Sequence, residues 1–167
     1  MSSSKSVSNP IWSLLPTDIE GINSLAELAL DMGDEPYGSV LVSRDGEVLF
    51  EDHNHVASGD ETQHPEFAIA RWAAQNLAPA ERAAATVYTS GEHCPMCAAA
   101  HGWAGLGRIV YATSSQQLGS WLADLGVSPS PVLPLAITQV VPGLAVAGPA
   151  PELAGQVRDL HRRFRSA

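Results

Sequence analysis

Lysine is nearly absent from this chain: Lys5 is the single one, and 9 Lys+Arg against 18 Asp+Glu leave a formal charge of −9 over 167 residues. Proteins that hold nucleic acid draw much of their affinity from Lys and Arg set against phosphates. A polyanionic partner is therefore disfavoured, and no nucleic acid is expected. Cysteine is equally sparse. Cys94 and Cys97, the only two, lie too close together to staple distant parts of a chain, which leaves metal or redox use. No uninterrupted apolar run approaches the ~18 residues of a membrane span, and residues 1–10 lack the apolar segment of a signal peptide. No membrane contact and a cytoplasmic location are expected. What remains, 45% hydrophobic and 16% charged residues, is a globular composition rather than a disordered one. The length suits one domain, here over residues 17–167 behind a polar arm at 1–16. Arg158, Arg162, Arg163 and Arg165 crowd the end of the chain and read as a solvated helix face.

Hydrophobic spacing supplies the element order. Ile19, Ile22, Leu25, Ala26 and Ala29 predict an amphipathic helix over 17–32, stopped by Gly33. Two short strand-like runs around Asp45-Gly46 predict a hairpin, hence an antiparallel contact. Residues 53–63 read as a loop and 65–77 as a helix with Pro65 in its first turn. Strand 86–89, helix 95–106 and strand 108–112 then alternate, which implies a parallel part of the sheet. A helix over 115–125, a proline-rich break at 128–134, a last strand over 135–141 and a closing helix over 149–164 complete the chain. The apolar face of that last helix is Leu153, Val157, Leu160 and Phe164. Trp72, Trp103 and Trp121 fall in helices and are expected in the core or at an interface.

Two short motifs sit where helices begin: His64-Pro65-Glu66 and Cys94-Pro95-Met96-Cys97. Cysteines three apart at a helix start can point both sulfurs at one ion, and the dipole there favours thiolates. His64 can add a third ligand. Three protein ligands leave a coordination position for water, the catalytic rather than the structural arrangement of zinc. Zn²⁺ with two thiolates and one imidazole is formally neutral and acidifies its water less readily, so a nearby carboxylate that takes the proton, Glu66, compensates. The chemistry implied is hydrolytic deamination.

These motifs resemble the cytidine/nucleobase deaminase superfamily, in which H-x-E and C-x-x-C mark the zinc site. The resemblance extends over most of the chain. Residues 36–42 look like the family's first strand, Asp45-Gly46 like its hairpin, Asn54 like its substrate-binding asparagine, residues 89–97 like its cysteine turn, and 105–111 like its fourth strand. It is similar in style to the bacterial guanine, cytosine and tRNA-adenosine deaminases. It implies an α/β fold, a three-layer α/β/α arrangement around a five-stranded mixed sheet, and a homodimer. It also implies zinc held by His64, Cys94 and Cys97, a proton shuttle at Glu66, and substrate contacts from Asn54 and Tyr37. A C-terminal segment in relatives covers the site, which makes Phe164 a candidate lid. Three departures stand out. Pro65 replaces a residue whose backbone N–H usually meets the substrate ring. His93 stands where proline usually precedes the first cysteine, either as a solvent-facing replacement or behind the ligands. The loop 54–64 is one residue short.

Other readings compete. A redox CxxC has no use for His64 and Glu66. A closed structural zinc needs a fourth ligand, for which His93 and His101 are the candidates. His53 and His55 flank Asn54 and are expected to be exposed, one of them able to line a pocket rim. The reading carried forward is a zinc-dependent aminohydrolase that converts an exocyclic amino group on a small free nucleobase or analogue, of cytosine, guanine or triazine type, to oxygen with release of ammonia. The alternatives are a nucleoside deaminase and a non-catalytic zinc-stabilised binding module.

Overall fold

The computed structural model of the chain describes the backbone over residues 16–167 and the side chains from residue 22. Of the arm expected over residues 1–16, Lys5 and the rest up to residue 15 lie outside the described residues. Helix α1 (Pro16–Asp31) leads into strands β1 (Gly38–Val42) and β2 (Val48–His53). Gly33, at φ 83°, turns the chain out of α1, a conformation that suits glycine. Helices α2 (Pro65–Asn76) and α3 (Pro79–Ala84) precede β3 (Thr86–Gly91), which feeds α4 (Pro95–Ala104) and β4 (Ile109–Thr113). Then come α5 (Ser115–Asp124), α6 (Ile137–Val140), β5 (Val146–Ala147) and the closing helix α7 (Pro151–Ser166). Among the described residues no helix is long and apolar enough to cross a membrane.

The five strands form one mixed sheet in the order β2-β1-β3-β4-β5. β1 runs antiparallel to both β2 and β3, while β3, β4 and β5 are parallel. Alternation along the strands sorts the apolar side chains into two layers. Leu41, Val87 and Ile109 point to one face, where Ile69, Ala73, Ala98 and Ile137 from α2, α4 and α6 cover them. Val40, Val42, Tyr88 and Val110 point to the other, against Ile22 of α1 and Val157 of α7. The result is the expected three-layer α/β/α arrangement.

One element differs from the sequence reading. The strand expected over 135–141 is absent; residues 137–140 form α6, and the fifth strand comes later, at Val146–Ala147. Hydrogen bonding decides it. The Gln139 side chain accepts from the Ala136 N–H at 2.9 Å, and Glu92 Oε2 accepts from the Ile137 N–H at 2.7 Å, which satisfies the free donors of a helix start. Glu92 also accepts from the Ser115 N–H at 3.0 Å, so one carboxylate holds the starts of both α5 and α6.

The helix α7 turns the expected face inward: Val157 and Leu160 are buried, and Leu153 and Phe164 are half-buried, with Ala154 and His161 added to the buried set. The terminal arginines are exposed, as expected of a solvated face, and two of them reach acidic partners: Arg163 to Glu27 at 3.5 Å and Arg165 to Glu35 at 3.2 Å. Trp72 stacks on Phe50 with centroids 5.2 Å apart, and Trp121 lies under the Arg158 guanidinium. Trp103 is 91% exposed and belongs to no core.

Gly38 is where the sheet and α1 come closest. A Cβ there would lie 2.5 Å from Leu25 Cβ and 2.8 Å from the Ile22 carbonyl oxygen. Gly38→Ala is expected to cost about 1–3 kcal/mol by overpacking, read as a lowered urea midpoint at unchanged m-value.

Candidate functional site

Both chemical motifs occupy helix starts, as their sequence context predicts. His64 and Cys94 are the N-cap residues of α2 and α4, each followed by proline at the first helical position, where its missing N–H costs nothing. The two helices pack side by side on one face of the sheet, so their N-termini converge. His64 Nδ1 lies 3.5 Å from Cys94 Sγ and 3.5 Å from Cys97 Sγ. A tetrahedral zinc with Zn–S near 2.3 Å and Zn–N near 2.0–2.1 Å sets adjacent S and N ligands about 3.5 Å apart. The donor set and its spacing therefore fit zinc. Among the described residues this group is His64, Cys94 and Cys97 alone.

His93 and His101, the candidates for a fourth ligand, do not join it. They pack against each other edge to face, with centroids 5.4 Å apart. His93 is 1% exposed, so the solvent-facing reading of this residue does not hold. Burial keeps both rings below their ordinary pKa, and His101 donates from Nε2 to the Gly107 carbonyl at 2.7 Å.

The two thiols are shifted in opposite directions. Cys94 is lowered to about 4, first by the hydrogen bond from Cys97, then by the one from His64. Cys97 is raised, because it holds the shared proton and because it is buried. The hydrogen bond to Cys94 raises His64 against the opposing effect of burial.

Glu66 stands two residues past His64, in the first turn of α2, and is 6% exposed. Its Oε1 lies 3.1 Å from Ser39 Oγ and 2.9 Å from Thr89 Oγ1, and the hydroxyls are 2.8 Å apart. Ser39 and Thr89 face each other across the β1–β3 register. The sheet thus anchors a carboxylate carried by a helix. Burial raises the pKa of Glu66, while His64 and the Thr89 hydroxyl pull the other way.

Asn54 is brought to the same region by the loop after β2. Its N–H donates to the Tyr37 carbonyl at 3.0 Å, and the neighbouring His55 N–H donates to Gln63 at 3.0 Å, beside His64. The side-chain oxygen of Asn54 accepts from the Val56 N–H at 3.0 Å. That fixes the amide, and its Nδ2, buried, has no hydrogen-bond partner among the described residues. A buried donor left unpaired is costly. Tyr37 lies within electrostatic reach of Glu66 and Cys94, and burial raises its phenol.

The end of α7 closes on this region from the side. His161 packs edge to face on Tyr37 with centroids 5.1 Å apart, and Arg165 pairs with Glu35. The described contacts of Phe164 are with Arg165, whose guanidinium lies 5.0 Å from its ring. Sequence reasoning missed Ser39, Thr89, His161 and Glu35. The hydroxyls had a usable signal, since each sits on the pleat face that carries Leu41 or Val87 toward α2. His53 and His55, expected to be exposed, are buried and half-buried respectively.

Residues 20–113 match the family described as "Cytidine and deoxycytidylate deaminase zinc-binding region". A probable cytosine deaminase of Schizosaccharomyces pombe is 32% identical over 94 residues, 56% of this chain and 57% of that protein. A tRNA-specific adenosine deaminase of Agrobacterium fabrum is 33% identical over 96 residues, 57% of this chain and 62% of that one. The chain thus spans somewhat more than half the length of these curated relatives. Among solved structures, guanine deaminase from Nitrosomonas europaea superposes with a TM-score of 0.69 at 18% identity, over 90% of this chain and 84% of that one. At such identity the likeness is one of fold.

His161 is held at about 4 by burial, with Arg165 adding to the effect, whereas in the unfolded chain it titrates near ~6.5. A depressed histidine contributes stability that is present above the unfolded value and lost as pH falls through the folded one. Between pH 6.5 and 4 the loss is on the order of 3 kcal/mol. His161→Phe, which keeps a ring against Tyr37, is expected to flatten the pH dependence of unfolding over that window.

Proposed function

Since the chain belongs to the cytidine and deoxycytidylate deaminase zinc-binding family, we propose that it is a zinc-dependent hydrolytic deaminase. It exchanges the exocyclic amino group of a small free nucleobase or analogue, of cytosine, guanine or triazine type, for oxygen. The observation that carries the reading is the anchored, buried Glu66 beside a three-ligand group of zinc spacing. His64, Cys94 and Cys97 would hold the ion. Bound zinc supplies an acidified water, the nucleophile of the reaction.

Glu66 would take a proton from the attacking water and deliver it to the ring nitrogen as the water oxygen bonds to the amino-bearing carbon. It would then take the remaining proton of that new hydroxyl and pass it to the amino group, so that the C–N bond breaks, ammonia leaves and the oxygen is left as the product carbonyl. Burial raises the pKa of Glu66, which favours a carboxyl that can return the proton it has taken. Asn54 orients the ring by donating from its free Nδ2. Pro65 offers no N–H, so Asn54 and the Tyr37 wall carry more of the recognition. Phe164, one turn beyond His161 on α7, is the candidate cover over the bound ring.

A second reading, action on a tRNA adenosine, follows from the Agrobacterium relative. The charge of −9 with a single lysine favours the small neutral substrate. A screen of ammonia release from zinc-loaded chain across free bases, their nucleosides, aza analogues and an anticodon stem-loop RNA separates these. Turnover of a free base is expected. Turnover of the RNA alone would shift the substrate class, and no turnover of any amino-heterocycle would support a non-catalytic binding module.

Glu66→Gln should keep the bound zinc and lower ammonia release on the order of 10³-fold. Its stability moves the other way. A raised carboxylate contributes stability below its unfolded value and loses it as pH rises through the folded one. The chelator-treated Gln variant is therefore expected to match or exceed the parent in Tm at pH 7, with the gap closing as pH falls toward 4.

A further inference from the structure

We propose that Asp34, His53 and His55 form a second divalent-metal site, separate from the cysteine-containing group, which takes a first-row cation such as Zn²⁺ or Co²⁺ through two imidazole nitrogens and one carboxylate oxygen. One such atom from each residue lies within 4.8 Å of the other two. Adjacent N and O ligands of a tetrahedral ion stand about 3.3–3.5 Å apart, so small side-chain rotations close the set. A mixed imidazole and carboxylate shell suits zinc, cobalt or nickel and disfavours magnesium or calcium.

The hydrogen bonds of the three side chains leave each with an atom able to bind a cation. His53 Nδ1 donates to the Asn54 carbonyl at 2.9 Å, which leaves the lone pair on Nε2. His55 Nε2 donates to Asp52 Oδ1 at 3.0 Å, which leaves the lone pair on Nδ1. Asp34 Oδ1 accepts from the Ala57 N–H at 2.7 Å, and its second oxygen has no hydrogen bond among the described residues. Metal-binding histidines commonly donate their other N–H to a carbonyl or a carboxylate in this way, which fixes tautomer and ring orientation.

Charge points the same way. Asp34 is 5% exposed, and among the described residues it makes no ion pair; the acid that His55 meets is Asp52. A buried carboxylate without a cationic partner is unfavourable. The two rings, with centroids 4.2 Å apart, are set beside it with unused lone pairs. A cation there satisfies all three. It would also tie the turn after α1 to both residues that flank Asn54, and so stiffen the segment that holds that amide.

The test is a Co²⁺ titration of the full chain already loaded with one equivalent of zinc, followed by ligand-field absorption and equilibrium dialysis. A further equivalent of cobalt is expected to bind with a micromolar or tighter dissociation constant and without a thiolate-to-cobalt charge-transfer band. His55→Gln, at a partly exposed position, and Asp34→Asn, which keeps an acceptor for Ala57, are each expected to weaken that equivalent at least tenfold while the first zinc stays bound. Uptake that stops at one metal per chain would overturn the proposal. So would undiminished binding of the second metal by both variants.

Discussion

Two helices, α2 and α4, begin at the same place on the same face of one sheet, and everything chemical in this protein depends on that coincidence. Each helix start contributes its N-cap residue, each is opened by proline, and the partial positive charge of both ends falls on the sulfurs. The packing of Ile69, Ala70 and Ala73 against Ala98 and Leu106 fixes how closely the two ends approach. A metal-ligand group is therefore a product of core packing here. A cavity in that layer would be felt as a displaced ligand before it was felt as a lost fold.

Glu66 illustrates a second dependence. A carboxylate buried to 6% exposure would ordinarily be expelled or paired with a cation. Here two sheet hydroxyls hold one of its oxygens, and the neighbouring imidazole and thiolate set its charge environment. The pairing of Ser39 with Thr89 across antiparallel strands is thus as much a part of the site as the H-x-E spacing. The register of β1 on β3 positions a buried carboxylate on a helix that neither strand contains.

Much of this could be read from the residues. Periodicity found α1, α2, α4 and α7, Asp45-Gly46 found the hairpin, and the helix-start context of His64 and Cys94 foretold their convergence. What it missed was decided by single side chains acting at long range. The 135–141 run has strand-like composition, yet the Glu92 carboxylate, some 45 positions earlier in sequence, holds its amide and makes it a helix. His161 stands between Leu160 and a run of arginines on α7, and only the packing of Tyr37 shows why a histidine joins the buried face. His53 and His55 look like polar loop residues until Asp34, supplied by the turn after α1, is seen beside them. Local pattern carries no information about such partners.

The most direct test of the central claim is X-ray absorption at the zinc edge of chain loaded with one equivalent of zinc. The account predicts two sulfurs near ~2.3 Å, one imidazole nitrogen near ~2.0 Å and a fourth, exchangeable light atom from solvent. A second imidazole in the shell, or a sulfur count below two, would contradict it.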